Sequence, residues 1–230
     1  MAKNTKKTKV IVEKHIANNL EDALKKIQEL SAEKKRNFVE SVDLAINLGI
    51  DSKQTDQSVK GSVLLPHGSG KSVKVAVFTG DEAQQKEALE AGASIAGLED
   101  LIAKIESGFL DFDCCIATPD AMRKISKVAK KLGPRGLMPS PKNGSVTTDL
   151  KKAITDALKG KINFKNDKAG TVHCLIGRVN FEAKSLAENS QAILKAIKDA
   201  KPEGSKGKFI KEFYLSATMG PSVQVAVDSL

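Results

Sequence analysis

The chain has 230 residues, of which 40% are hydrophobic and 28% are charged, and its formal net charge is +9. This length suits two modest domains, and no stretch approaches the run of about 18 apolar residues that crosses a bilayer, so a transmembrane protein is excluded and no membrane partner is expected. Three cysteines, two of them adjacent, form neither a disulfide framework nor a metal-binding pair, which favours a reducing, cytoplasmic compartment.

The positive charge is concentrated in particular segments. Residues 1–66 hold 12 Lys and Arg against 9 Asp and Glu, and residues 159–230 hold 12 against 7. The middle is nearly neutral but polarised, because residues 67–122 sum to −6 and residues 123–158 to +7. Such a distribution suggests a polyanionic partner, although charge alone does not separate nucleic acid from another acidic surface.

The first segment is predicted to form one helix and two strands. Asn19 precedes a helix with acidic residues in its first turn and a buried apolar stripe, made of Leu20, Ala23, Leu24, Ile27 and Leu30. Apolar residues at alternate positions predict a strand that starts with Phe38 and ends at Gly49, and a second strand is expected at 61–65. The Pro- and Gly-rich residues 66–70 are the best hinge candidate.

The strands predicted in the middle segment are mainly apolar. A continuously apolar strand is predicted at 73–78 and another at 114–117, with a short strand at 94–96. Helices are predicted at 81–91, 98–107 and 149–158. This alternation of strands and helices indicates a small three-layer α/β, Rossmann-like domain with a mainly parallel sheet.

The last segment returns to half-polar strands. Strands at 162–165 and 171–176 flank a predicted hairpin turn, a long amphipathic helix covers 182–200, and two closing strands follow at 209–217 and 223–227. Neither end segment has enough apolar residues for a core of its own. We therefore expect a split α+β domain from residues 1–66 plus 160–230, with residues 67–159 as the inserted α/β domain.

A Gly- and Pro-rich loop at 132–146 interrupts the inserted segment. It must be an ordered loop, because three prolines and three glycines are incompatible with a helix interior or a central strand. Arg135 and Lys142 remain available to an anion or a partner surface. A basic amphipathic helix precedes the loop, with its charged face made of Arg123, Lys124, Lys127, Lys130 and Lys131. The alternative is a well-capped helix end with a solvated charge run.

The chain offers no convincing reaction centre. Gly68-Ser69-Gly70-Lys71-Ser72 fails as a phosphate-binding loop, because Leu65 stands where a glycine is needed and Val73 begins a strand instead of a helix. His15, His67 and His173 lie far apart, without an acid at ligand or triad spacing. The protein is therefore not expected to be an enzyme, and no cofactor or metal is expected.

Two short stretches have the chemistry of an RNA contact. Lys34-Lys35-Arg36-Asn37-Phe38, with Glu40 and Ser41, places basic residues beside an aromatic ring that could stack on a base, although Phe38 could instead begin the buried face of its strand. Thr218-Met219-Gly220 combines a hydroxyl, an adaptable thioether and a residue with no side chain, which would let the backbone approach a ribose.

Several motifs together closely resemble the universal large-subunit ribosomal protein one family, in its bacterial type, over essentially the whole chain. The strongest is the basic helix with Leu-Gly-Pro-Arg-Gly-Leu-Met-Pro at 132–139. The others are Arg36-Asn37-Phe38-Val39-Glu40-Ser41-Val42, Leu48-Gly49-Ile50-Asp51, Leu64-Leu65-Pro66-His67-Gly68, Asn166-Asp167-Lys168 with His173, and residues 214–222.

The resemblance implies the same split architecture, with two hinge strands, and a role as a ribosome-bound cytoplasmic protein of the large subunit. It further implies binding to the stalk region of large-subunit rRNA, participation in release of deacylated tRNA from the exit site, and repression of the protein's own messenger RNA. The expected partners are therefore this rRNA, exit-site tRNA and the messenger.

The resemblance also implies a set of site residues. The RNA contacts that it implies are Lys35, Arg36, Phe38, Glu40, Ser41, Lys168, His173, Ser216, Thr218, Met219 and Gly220. The signature loop comprises Leu132, Gly133, Pro134, Arg135, Gly136, Met138 and Pro139. Two positions depart from common family residues: Ser41 stands where Thr is frequent, and Cys114-Cys115 occupies the inserted strand.

One competing function is an enzyme that binds a nucleotide on its α/β domain. It would need acidic or Gly-rich residues at the carboxyl ends of the two buried strands. Thr79-Gly80-Asp81 and Thr118-Pro119-Asp120 are the only stretches that could serve.

Overall fold

The computed structural model describes residues 15–33, 36–51, 57–202 and 207–227. Its strands are β1 (His15–Ala17), β2 (Ser41–Leu48), β3 (Lys60–Leu64), β4 (Val75–Phe78), β5 (Ile95–Gly97), β6 (Cys114–Ala117), β7 (Lys161–Lys165), β8 (Thr171–Arg178), β9 (Ile210–Ala217) and β10 (Ser222–Val225). Its helices are α1 (Leu20–Glu33), α2 (Glu82–Glu90), α3 (Glu99–Glu106), α4 (Ala121–Ile125), α5 (Ala129–Leu132), α6 (Leu150–Leu158) and α7 (Ala183–Asp199), and short 3-10 turns lie at Ser126–Val128, Gly133–Arg135 and Pro141–Asn143.

A five-stranded sheet is built from both ends of the chain. Its strand order is β1-β10-β9-β2-β8, antiparallel except for the parallel pair of β1 and β10. Buried and half-buried residues alternate strictly along β2, and the apolar stripes of α1 and α7 share one core with its buried residues. Because these helices cover one face, the polar residues of the strands line the other face.

A three-stranded parallel sheet, in the order β5-β4-β6, forms the centre of the middle segment. All four residues of β4 are buried, since apolar clusters lie on both faces of the sheet. Beyond β6, Val146 makes a parallel bridge to Ala117. The predicted fold class, a split α+β domain with an inserted three-layer α/β domain, is confirmed.

A two-stranded antiparallel ribbon of β3 and β7 joins the two sheets, with Leu64 opposite Lys161. Directly beyond this ribbon, the two chain segments that connect the sheets lie in contact. Gly160 has a φ of +100°, and a β-carbon at this residue would lie only 2.7 Å from the Ser69 nitrogen. The fully buried Asn189 of α7 holds the first of these segments in place. Its Nδ2 donates to the Gly68 carbonyl at 3.0 Å, and its Oδ1 accepts from the His67 amide at 3.1 Å.

Some elements differ from the sequence predictions. Strand β2 begins at Ser41, so Phe38 precedes it, and Leu30 is only half-buried. The residues flanking the turn at 166–170 do not form a hairpin ladder, because β7 pairs with β3 while β8 pairs with β2, and only Asn166 and Val172 form a bridge. The predicted polar connection at 51–57 lies mostly outside the described residues. Within them, no helix is long and apolar enough to span a bilayer.

Candidate nucleic-acid interface

The two stretches with RNA-contact chemistry meet in space, although they are 177 residues apart in sequence. The amide of Thr218 donates to the Ser41 carbonyl at 3.0 Å, and the Ser41 amide donates to the Thr218 hydroxyl oxygen, also at 3.0 Å. Residues 218–221 form the turn between β9 and β10, and Ser41 is the first residue of β2. The entry to β2 and this turn therefore form one unit.

Glu40 is the centre of this unit. Its side chain is only 2% exposed, and its carboxylate accepts hydrogen bonds from the Ser31 hydroxyl at 2.7 Å, the Met219 amide at 3.0 Å and the Arg36 guanidinium. Arg36 also donates to the Met219 carbonyl at 3.0 Å. Both backbone groups of Met219 are thus held by side chains from the segment before β2.

The hydrogen bonds keep the Glu40 carboxyl ionised. Burial alone raises the pKa of a carboxyl group, but the donors from Ser31, Met219 and Arg36 together outweigh it, and the pKa of Glu40 lies below its usual value. The resemblance implied an RNA contact at Glu40. The structure places this carboxylate inside the protein, in contact with three protein donors.

Apolar side chains project from this hydrogen-bonded unit. Phe38 is 53% exposed and Met219 is 65% exposed, so Phe38 does not begin the buried face of β2. Val39, which the sequence analysis did not single out, is 49% exposed, and its carbonyl accepts from the Arg178 guanidinium at 2.9 Å. The sequence feature that could have identified Val39 is its position between Phe38 and Glu40 in the motif.

The open face of the sheet contains further predicted contacts. Ser216 of β9 lies opposite Asp43 of β2, and His173 of β8 lies opposite Ala45, which also faces Tyr214. Asp43 and Tyr214 were missed by the sequence analysis, although their alternation with buried residues could have indicated this face. Burial raises the pKa of Asp43, while the charge of His173 acts in the opposite direction.

Lys168 lies at the opposite end of this face, in the turn before β8. The Asp167 carboxylate organises the turn by accepting from the amides of Ala169 and Thr171, each at 2.8 Å. Along β2, Asn47 pairs with Thr171 at this end and lies six residues beyond Ser41, so the predicted contacts extend over about 20 Å. Lys35 lies outside the described residues.

Gly220 closes the β9–β10 turn by donating its amide to the Ala217 carbonyl at 3.1 Å. Its φ is not in the left-handed region, so a side chain at this position would not strain the backbone. A β-carbon there would meet Ala217 Cβ at 3.3 Å, a contact that a small adjustment can relieve.

The signature loop lies apart from this interface, in the inserted unit. Leu132 is buried and Met138 is half-buried in one core cluster of the insert, and Pro139 is also buried. Gly133, Pro134, Arg135 and Gly136 are exposed, and the turn needs Gly136 at a φ of +71°. The following 3-10 turn, Pro141–Asn143, contacts β3, so the loop reaches the connecting ribbon. The side chain of Lys142 is not among those described.

At the carboxyl ends of β4 and β6, the two threonines of the candidate nucleotide-binding stretches are buried and not free to contact a ligand. Thr79 is buried, its hydroxyl donates to the Gln84 side chain at 2.5 Å, and its carbonyl accepts from Gln85 at 3.2 Å. Thr118 is also buried. In the described part of the chain, no group of three His, Cys, Asp or Glu side chains is placed to hold a metal.

The fold and the interface define a class of two-domain protein: a split α+β domain that exposes a polar sheet face, with an α/β insert that contains the signature loop. Comparison with known proteins gives the family. Residues 24–221 match the Ribosomal protein L1p/L10e family, and the chain belongs to it. Members of this family are structural proteins of the ribosome, so the enzyme alternative is wrong and the expectation of a non-enzyme is confirmed.

The chain aligns with curated relatives over nearly their whole length. The chain is 50% identical over 228 residues to the large ribosomal subunit protein uL1 of Coxiella burnetii (strain Dugway 5J108-111), covering 97% of this chain and 96% of the relative. It is 46% identical over 233 residues to the protein of the same name from Alcanivorax borkumensis, covering 100% and 99%. The Vibrio campbellii protein is also 46% identical over 233 residues, covering 100% and 98%.

Proposed function

We propose that this protein is a structural constituent of the large ribosomal subunit that binds the stalk region of large-subunit rRNA. Family membership and the names of the relatives support the assignment to the large subunit and a ribosome-bound, cytoplasmic location. In this proposal, residues 1–66 plus 160–230 form the rRNA-binding domain and residues 67–159 form the inserted domain. Release of deacylated tRNA from the exit site and repression of the protein's own messenger RNA belong to the same proposal.

The observation that carries the proposal is the pair of exposed apolar side chains, Phe38 and Met219, on a closed network of hydrogen bonds. Exposed aromatic and thioether groups on a rigid backbone can stack on bases, because little conformational entropy is lost when they bind. Glu40 acts here as a positioning residue, since its buried carboxylate holds the backbone of Met219. The protein thereby presents a preformed surface to a structured RNA.

The remaining predicted contacts have separate roles. The hydroxyls of Ser41 and Ser216 are half-exposed and can bond phosphate or ribose, whereas the Thr218 hydroxyl is occupied by Ser41 and orients the turn. Lys168 and His173 contact the RNA at the far end of the open face. A messenger that copies the rRNA element would occupy the same surface, which is how one site serves both assembly and repression.

Phe38→Ala tests the proposal. Loss of stacking costs about 1–3 kcal/mol per base, so affinity for a stalk rRNA fragment in a gel-shift titration should fall about 5- to 150-fold. The matched control is Leu89→Ala, which removes an equally exposed apolar side chain from α2 and should leave affinity unchanged. A Phe38→Ala protein with wild-type melting and wild-type affinity would overturn this assignment of the interface.

A further inference from the structure

A short turn connects the proposed RNA interface with the segment that leads into the insert. Residues 178–181 form this turn between β8 and α7, and we call it the bridging turn. The Phe181 amide donates to the Arg178 carbonyl at 3.0 Å, which closes the turn. It lies outside every motif that carries the family resemblance. We call residues 66–70 the hinge segment, and residues 36–41 with the β9–β10 turn the RNA-contact unit.

One side of the bridging turn holds the RNA-contact unit. Arg178 is the last residue of β8, and its guanidinium donates to the Val39 carbonyl at 2.9 Å. The Val179 amide donates to the Glu40 carbonyl at 3.0 Å. Because Val39 and Glu40 directly follow Phe38, these two hydrogen bonds fix the backbone that carries the exposed ring.

The other side of the bridging turn packs against the hinge segment. Gly70 has a φ of +66°, and a β-carbon at this residue would lie 2.8 Å from Phe181 Cζ and 3.0 Å from Arg178 Cγ. The ring of Phe181 is confined on its other side as well, since a β-carbon at Gly177 would lie 3.2 Å from Phe181 Cδ2. The hinge segment therefore touches the turn without spare space between them.

A third contact anchors the bridging turn to helix α1. The Gln28 side chain donates to the Val179 carbonyl at 3.0 Å and to the Phe181 carbonyl at 2.7 Å. Both backbone hydrogen-bonding groups of Val179 are thus paired within the protein. A turn that is closely packed and paired in this way transmits a displacement instead of absorbing it.

We propose that the bridging turn couples the hinge segment to the RNA-contact unit, so that a displacement at Gly70 changes the affinity of this unit for RNA. Arg178 and Phe181 are the positioning residues. Arg178 contacts both sites, because its Cγ lies against Gly70 and its guanidinium holds Val39. By thermodynamic reciprocity, RNA bound at the unit restricts the hinge segment to the same degree. The inference rests on the proposed function for the identity of the ligand.

The test pushes on the turn from the hinge segment in the full-length protein. Gly70→Ala introduces a β-carbon against Phe181 and Arg178 and alters no charge and no residue of the RNA-contact unit. The matched control is Gly68→Ala. Gly68 has nearly the same left-handed φ, +68°, but its β-carbon would meet the Lys159 carbonyl oxygen at 3.1 Å instead of the turn. Both variants strain the hinge segment, and only the first reaches the bridging turn.

Gly70→Ala should bind a stalk rRNA fragment about 2- to 30-fold more weakly, which is the range for substitutions along a network that links two sites. The salt slope should stay constant, since no charge changes. Gly68→Ala should bind like the wild type. Adding Phe181→Leu to Gly70→Ala removes the outer ring atoms and should recover most of the affinity. Equal losses in the two glycine variants, or wild-type affinity of a folded Gly70→Ala protein, would overturn the coupling.

A measurement without RNA separates this inference from the proposed function. The Val179 amide, which bonds to the Glu40 carbonyl, should exchange its hydrogen about 2- to 30-fold faster in Gly70→Ala than in Gly68→Ala or the wild type. Gln28→Met loosens the same turn from α1 and should also speed this exchange, so it decides the question if Gly70→Ala does not fold. Unchanged exchange at Val179 would overturn the coupling. A wild-type protein without preference for the stalk fragment would refute the proposed function alone.

Discussion

At the scale of single residues, the proposed interface is organised by a buried carboxylate that contacts other protein groups. Glu40 lies in a motif whose residue types suggest direct RNA contact, yet its oxygens accept from Ser31, Arg36 and Met219. Sequence could not reveal this, because Met219 is 179 residues away and only the folded chain brings its amide to Glu40. The pKa of Glu40 lies below its usual value because these donors stabilise the ionised form.

Glu40→Gln should therefore destabilise the protein at neutral pH. The amide group keeps the shape but presents a donor to one of the buried donors, which costs about 1–3 kcal/mol. The contribution of Glu40 is fully present above the usual carboxyl pKa and is lost as pH falls through its lowered folded value. Urea unfolding between pH 3 and 7 should show that the wild type has a larger free energy of unfolding than the variant, and this difference should shrink below about pH 4.

The control for this prediction is Glu29→Gln, on the exposed side of the same helix as Ser31. It should leave the free energy of unfolding unchanged over the whole pH range. RNA affinity at pH 7 should fall only for Glu40→Gln, since that variant alone loosens the backbone at Met219. Equal stabilities for Glu40→Gln and wild type at pH 7 would refute the positioning role.

At the scale of elements, the long helices and the short buried strands β5 and β6 were predicted, whereas β1 and the break in the basic helix were not. Helices α1 and α7 were predicted from apolar residues at helical spacing, and the structure contains both. Strand β1 was missed because its pairing partner is β10, at the other end of the chain, and such a contact cannot be seen in the local sequence. The basic helix is broken into α4 and α5, since the Ser126 hydroxyl bonds back to Met122.

The β9–β10 turn provides a test at this scale. Gly220→Val should weaken rRNA binding at every salt concentration, because a β-carbon intrudes where the RNA backbone comes close, while the salt slope stays nearly constant. The fold should persist, since φ at Gly220 is not left-handed and the nearest atom, Ala217 Cβ, would be 3.3 Å away. Preference for RNA over a DNA copy should shrink, because a ribose 2′-OH is the proposed neighbour.

The matched variant for the turn is Gly133→Val, whose β-carbon would point into open space at a helical φ. It should bind the stalk fragment like the wild type. Titrations with RNA and DNA ligands, combined with a melting curve for each protein, measure the difference. A folded Gly220→Val protein with undiminished RNA affinity would remove this turn from the interface.

At the scale of the whole molecule, the split arrangement was predictable because neither end segment contains enough apolar residues alone. The observed core confirms the physical reason: α1 and β2 from one end pack with β8, α7 and β9 from the other. The junction was only partly predictable. The Pro- and Gly-rich residues 66–70 indicated a hinge, but nothing in the sequence distinguishes Asn189, which is fully buried in the middle of a helix and bonds to this segment.

Removal of the insert tests whether the split domain alone is sufficient for specific RNA binding. Residues 1–66 can be joined to 160–230 through Asn-Gly, because Leu64 and Lys161 are already cross-strand partners and a short turn can close them. The deletion removes the Gly68 carbonyl and the His67 amide, which are hydrogen-bond partners of the buried Asn189. Their loss should lower the free energy of unfolding by about 1–3 kcal/mol. A lower melting temperature with retained circular dichroism is therefore expected.

RNA binding by this deletion protein should show that the specific contacts lie on the split domain. Preference for the stalk fragment over an arbitrary duplex should survive, because Phe38, Met219 and the open sheet face all remain. If the folded deletion protein instead loses its preference for the stalk fragment, the insert must contain contacts that we have placed on the split domain.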